Sequence, residues 1–264
     1  MLVAGKSALI TGATGGIGAA IARRLGGAGA KLTLTGRRTE EIAALAGELD
    51  ARVIKADLAD PAQIDALLAE AGDVDILIAN AALPGSGSLQ SFTTEEIDRA
   101  LTVNLRAPIV MAHALVPGMV KRGEGHIVFI SSLSGKVAAP GSSIYSATKF
   151  GLRGFSLGLR ADLHPKGVGI STVFPTFIRD AGMFAKTGVK LPPGVGTRSP
   201  EDVANAVLRA IEHNKAEVDV APIHMRAGVA IAGLAPELVA RVTRLAGGDR
   251  IAERMEAEQK QART

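Results

Sequence analysis

The stretch SALITGATGGIGAAIARRL, residues 7–25, joins a short β-rich run to a helical pattern through a glycine-rich turn. Residues 11–18 read TGATGGIG, in which the glycines follow the spacing G-x-x-x-G-x-G. Glycine lets a backbone approach a pyrophosphate closely, and the N-terminus of the following helix presents free N–H groups and a partial positive charge. The turn lacks the G-K-[ST] ending of a P-loop and differs from the commoner dinucleotide fingerprint. Its place between the first strand and the first helix nevertheless favours a dinucleotide cradle over an ordinary tight turn, and the predicted cradle comprises Gly12, Thr14, Gly16, Ile17 and Gly18.

The rest of the chain alternates β-rich runs with helical patterns. Seven candidate strands cover residues 7–11, 31–35, 52–56, 75–79, 126–131, 168–174 and 216–220. Strands that alternate with helices predict right-handed crossovers and an α/β fold with a doubly wound, seven-stranded parallel sheet. Ligands of such sheets bind outside the carboxyl ends of the strands. We expect a single domain, with residues 1–222 as the dinucleotide-binding catalytic part and residues 223–264 as a helical C-terminal extension that belongs to the same domain or forms an oligomer contact.

Composition narrows the class of protein. At 264 residues and 47% hydrophobic, with 3% aromatic residues and no tryptophan, the core must be built from Ala, Val, Ile and Leu, which suits a parallel sheet. Cysteine is absent, which excludes disulfides and thiol catalysis, and the five histidines form no close-spaced pair, so we predict no metal site. The net charge of +4 is spread without runs of like charge, so nucleic acid is not expected as a partner. We expect a cytoplasmic protein, because the early glycine-rich turn leaves no space for a signal peptide and no uninterrupted apolar run reaches the ~18 residues of a membrane span.

The end of the second predicted strand bears on the choice of cofactor. It reads Thr35-Gly36-Arg37-Arg38, where an NAD-binding chain usually places an acid for the ribose 2′-hydroxyl. An arginine fork suits a 2′-phosphate, so Arg37 favours NADP over NAD, although both arginines could simply begin a solvated helix. Asp57 and Leu58 close the third strand, where Asp57 either holds the adenine edge or starts the next loop.

Tyr145 is the only tyrosine of the chain, four positions before Lys149 and thirteen after Ser132. Residues at i and i+4 share a helical face about 6 Å apart along the axis, so the ammonium can act on the phenol. A nearby cation favours phenolate and lowers its pKa. Tyr145 is therefore the candidate acid/base, the alternative being an incidental surface pair.

Asn104 lies in an apolar stripe at helical spacing, so we expect it to be buried and to need hydrogen-bond partners. Pro108 follows four residues later. Proline in a helix removes one backbone hydrogen bond and clashes with the carbonyl of residue i−4. We therefore expect an opened backbone at Asn104 that can bind water, or else a structural asparagine at a kink.

Together these residues resemble the short-chain dehydrogenase/reductase family over roughly residues 5–222. The matching elements, in chain order, are Thr11-Gly12 with Gly16 and Gly18, Asp57, Asn80-Ala81, Asn104, Ser132, and Tyr145 with Lys149. The resemblance implies a Rossmann-type fold in which Tyr145 is the acid/base and Lys149 binds the nicotinamide ribose and lowers the phenol pKa. It further implies that Ser132 orients the substrate carbonyl and Asn104 holds a relay water. It also places Asn80 and Pro175 at the cofactor.

Two departures from the family pattern stand close to the expected site. The usual Asn-Asn-Ala-Gly is Ala79-Asn80-Ala81-Ala82 here, and the usual Pro-Gly after the sixth strand is Pro175-Thr176. Thr176 adds a side chain beside the expected nicotinamide.

We expect an NADP-dependent oxidoreductase that interconverts a ketone and a secondary alcohol by hydride transfer. The expected pocket walls are mostly apolar and favour a lipophilic substrate: Leu83, Pro84, Val137, Phe177, Met183 and Phe184. Residues 186–198 read as a mobile lid or as a long surface loop.

Two rival functions stay open. A non-catalytic NADP-binding regulator would be expected to lack Ser132, Tyr145 or Lys149, all of which are present. A 3-oxoacyl thioester reductase acting on carrier-bound substrates would need a basic docking surface, which Lys186, Lys190 and Arg198 could offer.

The C-terminal extension has an apolar stripe at i+3 and i+4 spacing that needs a cover. Pro236 and Glu237 read as the first turn of a second helix and Gly247 as its stop, before a polar end from Asp249. The cover could be the chain's own pocket edge, a sister subunit or a membrane surface, toward which the basic residues Arg226, Arg241, Arg244 and Arg250 would face. We favour packing within a homo-dimer or homo-tetramer over a membrane, because members of the resembling family commonly pair through the helices that carry Asn104 and Tyr145.

Overall fold

The computed structural model describes residues 1–182, 196–234 and 237, and within them it forms one seven-stranded, fully parallel sheet. The strands are β1 (Ser7–Thr11), β2 (Lys31–Gly36), β3 (Arg52–Lys55), β4 (Ile76–Ala79), β5 (Gly125–Ile130), β6 (Val168–Pro175) and β7 (Glu217–Val220). Their order across the sheet is β3-β2-β1-β4-β5-β6-β7. The predicted doubly wound parallel fold is confirmed.

Helices cover both faces of this sheet. They are α1 (Gly16–Gly26), α2 (Glu40–Leu49), α3 (Pro61–Ala71), α4 (Thr94–Leu101), α5 (Ala107–Arg122), α6 (Ser143–Leu163), α7 (Pro200–Glu212) and α8 (Ile223–Leu234). The apolar core on one face is shared with α1, α2 and α7, and the core on the other face with α3, α5 and α6. Because both faces are covered, β4, β5 and β6 are buried along their whole length, as parallel strands are.

Several strands begin or end one residue away from the predicted positions. At β4 and at β5 the residue just outside the strand still makes a backbone hydrogen bond to a neighbouring strand. Asp75 precedes β4, yet its N–H donates to the Ser7 carbonyl at 3.0 Å. Ser131 follows β5, yet its N–H donates to the Val173 carbonyl at 2.9 Å. These residues extend the hydrogen bonding of the sheet although they lie outside the assigned strands. Assignments at the ends of elements commonly differ by one or two residues in this way.

The chain adds its first strands on one side of β1 and its later strands on the other side. From β1 the chain adds β2 and then β3 on one side, and it returns to place β4 on the other, so that Leu9 pairs with both Thr33 and Leu77. The helices after β1 and β4 pack on opposite faces of the sheet, and in doubly wound sheets this arrangement forms a crevice at the carboxyl ends of the two strands. This is the edge at which doubly wound sheets bind ligands.

A widened helical turn follows α4, as the position of Pro108 predicts. Residues Thr102–Arg106 form a π-helical turn, and the Ala107 N–H bonds to the Thr102 carbonyl five residues back. Proline has no N–H to offer the carbonyl four residues before it, and the wider turn relieves the clash of its ring with that carbonyl. The backbone is thus opened at Asn104 where the sequence indicates it.

Through this turn, α4 and α5 form one continuous helical stretch, Thr94–Arg122. By length and composition alone the stretch could cross a membrane, and 44% of its most apolar window is buried inside the protein. Core helices pass the same test, and α5 packs against α3, α6 and β5.

Several predicted features lie outside the described residues. They are the pocket residues Met183 and Phe184, the basic residues Lys186 and Lys190, most of the predicted lid, and the second helix of the C-terminal extension beyond Glu237.

Candidate active site

The glycine-rich turn is fastened to the end of β4 by two polar side chains. The Thr11 hydroxyl accepts hydrogen bonds from the N–H groups of Asn80 and Ala81, both at 3.0 Å, and donates to the Ile78 carbonyl at 3.3 Å. The Asn80 side-chain amide donates to the carbonyls of Thr11 at 3.0 Å and Gly12 at 3.1 Å. Thr11 and Asn80 therefore act as a clasp across the switch point, and Asn80, predicted at the cofactor, holds the turn that would bind it.

The three glycines of the spacing are required by close approach. Gly12 has φ +68, and an added Cβ would lie 2.8 Å from the Ala81 Cα. An added Cβ on Gly18 would overlap the Gly12 carbonyl oxygen and lie 2.9 Å from the Asn80 amide nitrogen, and one on Gly16 would overlap Ala181. Side chains at these positions would collide with residues that follow β4, with the turn itself and with Ala181, so only glycine allows this close packing. A turn whose backbone is bare at these three positions fits the predicted cradle.

The positive end of α1 faces this space. Gly15 is the N-cap without a side-chain hydrogen bond, and the first turn of α1 carries no acidic residue. Ile17 packs into the core, while the Thr14 methyl lies 3.3 Å from where a Gly36 Cβ would be. The turn thus places the N-terminus of α1, which can bind phosphates, next to the end of β2, where the adenosine ribose of a dinucleotide would lie.

At the end of β2, the two neighbouring arginines differ in their surroundings. The Arg38 guanidinium forms an ion pair with Glu41 at 2.7 Å. Arg37 is exposed, and its side chain makes no ion pair or hydrogen bond with any residue of the described part of the chain. Arg37 is therefore the arginine that is available for a ligand.

Asp57 lies near Arg37 and pairs with an arginine that sequence reasoning missed. Its carboxylate accepts from the Arg99 guanidinium at 2.9 Å and from the Ala59 N–H at 3.0 Å. Burial acts to raise the pKa of Asp57, but these two hydrogen bonds and the charge of Arg37 outweigh it and lower the pKa. Leu58 turns the other way into the core. Arg99 comes from α4, far along the chain, and no local pattern connects it with Asp57.

Ser132, Tyr145 and Lys149 meet at the carboxyl ends of β5 and β6. Lys149 is 2% exposed and donates to the Ile130 carbonyl at 3.0 Å, and its Nζ lies 5.5 Å from the centre of the Tyr145 ring. The side chains of Ser132 and Tyr145 are hydrogen-bonded to each other. The predicted grouping of these three residues on one side of the crevice is present.

The protonation of this group differs from the sequence-based expectation. Tyr145 keeps part of its surface open, yet burial raises its pKa to about 12, with the hydrogen bond to Ser132 acting in the opposite direction. Burial lowers the pKa of Lys149 to about 8. The net shift is opposite to the lowering expected from Lys149, because loss of solvent around the phenol raises its pKa and the Lys149 ammonium is bonded to the Ile130 carbonyl.

Asn104 is buried and uses its side chain to hold the loop after β4. Its Oδ1 accepts from the Leu83 N–H at 2.7 Å, and its Nδ2 donates to the Leu83 carbonyl at 2.9 Å. This clamp brings the loop against Tyr145, since an added Cβ on Gly85 would lie 3.2 Å from the Tyr145 Cβ. A relay water at Asn104 stays a prediction, and the backbone carbonyl, which Pro108 cannot reach with an N–H, is the atom left to hold it.

Thr176, which stands where the family pattern has glycine, is contacted by a residue of α8. The Thr176 N–H donates to the Val220 carbonyl at 3.1 Å, and its hydroxyl points to the Met225 sulfur at 3.5 Å. Met225 packs with Leu133 and Phe174 in a small apolar cluster. The first helix of the extension therefore adjoins the carboxyl end of β6, beside the residue that follows Ser132.

In the described part of the chain, no group of three or more His, Cys, Asp or Glu side chains is arranged to hold a metal ion. That the protein has no metal site stays a prediction. Apart from the Asp57 carboxylate, which is paired with Arg99, the polar groups at this edge are hydroxyl, amide, ammonium and guanidinium groups. These groups suit a phosphorylated ligand and a carbonyl rather than a cation.

Comparisons with known proteins agree with this geometry. Residues 6–191 match the family model described as short chain dehydrogenase. The chain is 36% identical over 225 residues to ketoacyl reductase HetN of Nostoc sp., covering 82% of this chain and 78% of that protein.

Two solved structures illustrate the range of nicotinamide cofactors among similar proteins. A short-chain dehydrogenase from Sphingobium yanoikuyae in complex with NADPH superposes with a TM-score of 0.77 at 31% identity, covering 88% of this chain and 94% of that one. A 3-ketoacyl-(acyl-carrier-protein) reductase from Brucella melitensis complexed with NADH superposes with a TM-score of 0.74 at 26% identity, covering 83% and 97%. The cradle, the grouping of Ser132, Tyr145 and Lys149, and a family match over most of the sequence lead to one conclusion: this chain belongs to the short-chain dehydrogenase/reductase family and is an oxidoreductase acting on CH–OH or C=O groups.

Proposed function

We propose that this protein is an NADP-dependent oxidoreductase that interconverts a ketone and a secondary alcohol, with Tyr145 as its acid/base. The observation that carries the proposal is the hydrogen bond between Tyr145 and Ser132 beside the buried Lys149, at the same sheet edge as the glycine cradle. A non-catalytic NADP-binding regulator would not need these three side chains, and all three are present.

The proton chemistry follows from the surroundings of the phenol. With its pKa raised to about 12, Tyr145 holds its proton at neutral pH and can donate it to a carbonyl oxygen that is being reduced. Ser132 is placed to orient that oxygen. A bound nicotinamide would supply or accept the hydride at the carbonyl carbon. In the direction of alcohol oxidation Tyr145 must take up the proton, and the hydrogen bond from Ser132 favours the phenolate that does so.

The preference for NADP rests on the end of β2. The exposed Arg37 can meet a 2′-phosphate, and no acidic side chain stands at the end of that strand to bind a 2′-hydroxyl. Arg37 already lies close enough to lower the pKa of Asp57, so it faces the adenosine end of the crevice. Similar proteins have been solved with NADPH and with NADH, so similarity alone does not select one cofactor. The proposed preference for NADP therefore relies on Arg37.

The substrate class is a lipophilic ketone, and 3-oxoacyl thioesters are a specific candidate within it. Leu83 and the buried Pro84 lie in the loop beside Tyr145, and Leu133 packs next to Ser132. The similarity to HetN, a ketoacyl reductase, and to the 3-ketoacyl-(acyl-carrier-protein) reductase of Brucella melitensis supports the 3-oxoacyl candidate. Of the three basic residues considered for carrier docking, Arg198 donates to the Ala221 carbonyl at 3.4 Å, and Lys186 and Lys190 lie outside the described residues, so carrier docking stays a prediction.

We also propose a homo-oligomer that forms through the outer face of α4 and α6. Leu101, Phe150 and Leu157 are large apolar side chains exposed on these two helices, and each would lose water in such a contact.

Tyr145 can be titrated directly, because it is the only tyrosine and tryptophan is absent. The tyrosinate absorbance of the protein without added cofactor should reach half of its final value at a pH of about 12, compared with about 10 for a free phenol. Far-UV circular dichroism at each pH shows whether the fold is retained. A midpoint at the free-phenol value in a folded protein would contradict the burial of the hydroxyl.

Replacing Tyr145 by Phe should lower the rate of ketone reduction by roughly 10²–10⁴-fold, because the proton donor is lost. The affinity for NADPH, measured by fluorescence titration of the cofactor, should change little, since the hydroxyl is held by Ser132 and faces the reacting carbonyl. Turnover close to that of the wild type would remove Tyr145 from the mechanism.

Replacing Arg37 by Asp should weaken NADPH binding by about 1.5–3 kcal/mol, roughly tenfold to more than a hundredfold, while NADH binding changes far less. Arg52→Asp is the matched control, because it makes the same change of charge on the exposed surface of β3. Equal affinity of the wild type for both cofactors would overturn the assignment of Arg37 to the 2′-phosphate.

A further inference from the structure

Four charged side chains form a cluster at the β7 edge of the sheet, on the face covered by α6. Lys136 contacts Glu217 at 2.9 Å and Asp219 at 2.6 Å, and Arg153 contacts Glu217 with its Nε at 2.6 Å. Glu217 and Asp219 are two positions apart on β7 and thus share a face of the sheet. The Lys136 Nζ also lies 4.1 Å from the centre of the Phe174 ring.

This cluster is withdrawn from solvent, and its charges depend on each other. The Lys136 side chain is 10% exposed, and those of Glu217 and Asp219 are about one-fifth exposed. Burial acts to raise the pKa of Glu217, but hydrogen bonds from Arg153 and Lys136 outweigh it and lower the pKa. Removing Lys136 would leave two neighbouring carboxylates with Arg153 alone, and breaking a buried pair in this way is costly.

Each positive member of the cluster follows a catalytic-site residue by four positions. Lys136 comes four residues after Ser132, and Arg153 comes one helical turn after Lys149 on α6. Phe174 immediately precedes Pro175 at the end of β6. The cluster therefore joins all three segments that carry the candidate active site to the last strand.

The connection to Ser132 is a single short turn. Leu133–Gly135 form a 3₁₀ turn, in which the Gly135 N–H donates to the Ser132 carbonyl and the Lys136 N–H to the Leu133 carbonyl, both at 2.8 Å. The Ser132 hydroxyl accepts from the Ser134 N–H at 3.1 Å. A short 3₁₀ turn has poor hydrogen-bond geometry and needs external support.

We propose that Lys136 is a positioning residue for Ser132: its bonds to Glu217 and Asp219 anchor the end of the 3₁₀ turn and so fix the Ser132 hydroxyl against the Tyr145 phenol. The inference rests on the proposed function for its catalytic consequence. Its structural part, the anchoring of the turn, can be measured without turnover.

The test compares Lys136→Met with Lys6→Met. Methionine keeps the apolar stem over Phe174 and removes the charge. Lys6 forms an ion pair with Glu124 just before β1, at the end of the sheet opposite the crevice, so its variant also loses one ion pair. Lys136→Arg keeps the charge and should restore the behaviour of the wild type.

Steady-state kinetics distinguish a loss of Ser132 positioning from a general loss of protein stability. Lys136→Met should lower kcat for ketone reduction by about 10- to 100-fold, the size of effect expected when a reacting group is misplaced, with little change in KM for NADPH. In alcohol oxidation, the part of the kcat/KM profile that rises with pH should move to higher pH, because the hydrogen bond from Ser132 acts to lower the pKa of Tyr145. Lys6→Met should leave kcat and the profile unchanged.

Hydrogen exchange tests the anchoring itself. The amides of Gly135 and Lys136 should exchange at least several-fold faster in Lys136→Met than in Lys6→Met, as read by mass spectrometry of peptides that cover the turn. If Lys136→Met does not fold, Asp219→Asn, which removes one of the two carboxylate partners, serves for the same comparison with a smaller effect.

Two outcomes overturn the inference: exchange in the turn that matches the Lys6 variant, or kcat and a pH profile that match it. A wild-type protein that reduces no ketone with NADPH would instead overturn the proposed function, while the exchange experiment would still decide whether Lys136 anchors the turn.

Discussion

The clasp between Thr11 and Asn80 is the constraint on which the crevice depends. A parallel sheet brings the carboxyl ends of β1 and β4 side by side, but it does not fix the loops that leave them in opposite directions. The Thr11 hydroxyl bonds to the end of β4, and the Asn80 amide bonds back to the glycine-rich turn. Because Gly12 and Gly18 have no side chains, this contact is close enough to hold the N-terminus of α1 over the switch point.

A second asparagine extends the same arrangement toward the reacting groups. Asn104, freed from regular helix by the π-helical turn, binds both backbone groups of Leu83 and holds the loop after β4 beside Tyr145. Asn80 and Asn104 thus act on the two ends of one short segment. The glycine-rich turn and the loop beside Tyr145 are both held by amide side chains that bond to backbone groups.

Burial shifts the pKa values of Tyr145 and Lys149, the two residues of the proposed acid/base pair. Lys149, with its pKa lowered to about 8, is a group whose folded-state pKa lies below its unfolded value, so its contribution to stability improves as the pH rises through that value toward about 10.5. Tyr145 acts in the opposite direction above about pH 10, where an unfolded phenol would ionise and the buried one does not. At neutral pH the site therefore contains a proton donor and a cation, which is the state required for carbonyl reduction.

Local sequence signals predicted the fold and most of the site, and tertiary contacts account for what they missed. The glycine spacing, the seven strands and the opening of the helix at Asn104 each follow from residues a few positions apart. Arg99, which binds Asp57, and Lys136, which binds β7, contact partners 42 and 83 positions away, and no periodicity reveals such pairs. The direction of the Tyr145 pKa shift was wrong for the same reason, since an i, i+4 spacing shows the neighbouring ammonium but not the loss of solvent around the phenol.

The central claim is that this sheet edge transfers a hydride between NADP and a carbonyl carbon with Tyr145 as the proton donor. The most direct measurement uses NADPH that carries deuterium at the reactive carbon of the nicotinamide, incubated with a panel of lipophilic ketones and 3-oxoacyl thioesters. Mass spectrometry of the product alcohols should find one deuterium on the carbinol carbon, formed by the wild type and nearly absent with Tyr145→Phe. Tight binding of NADPH without transfer of deuterium to any member of the panel would contradict the account.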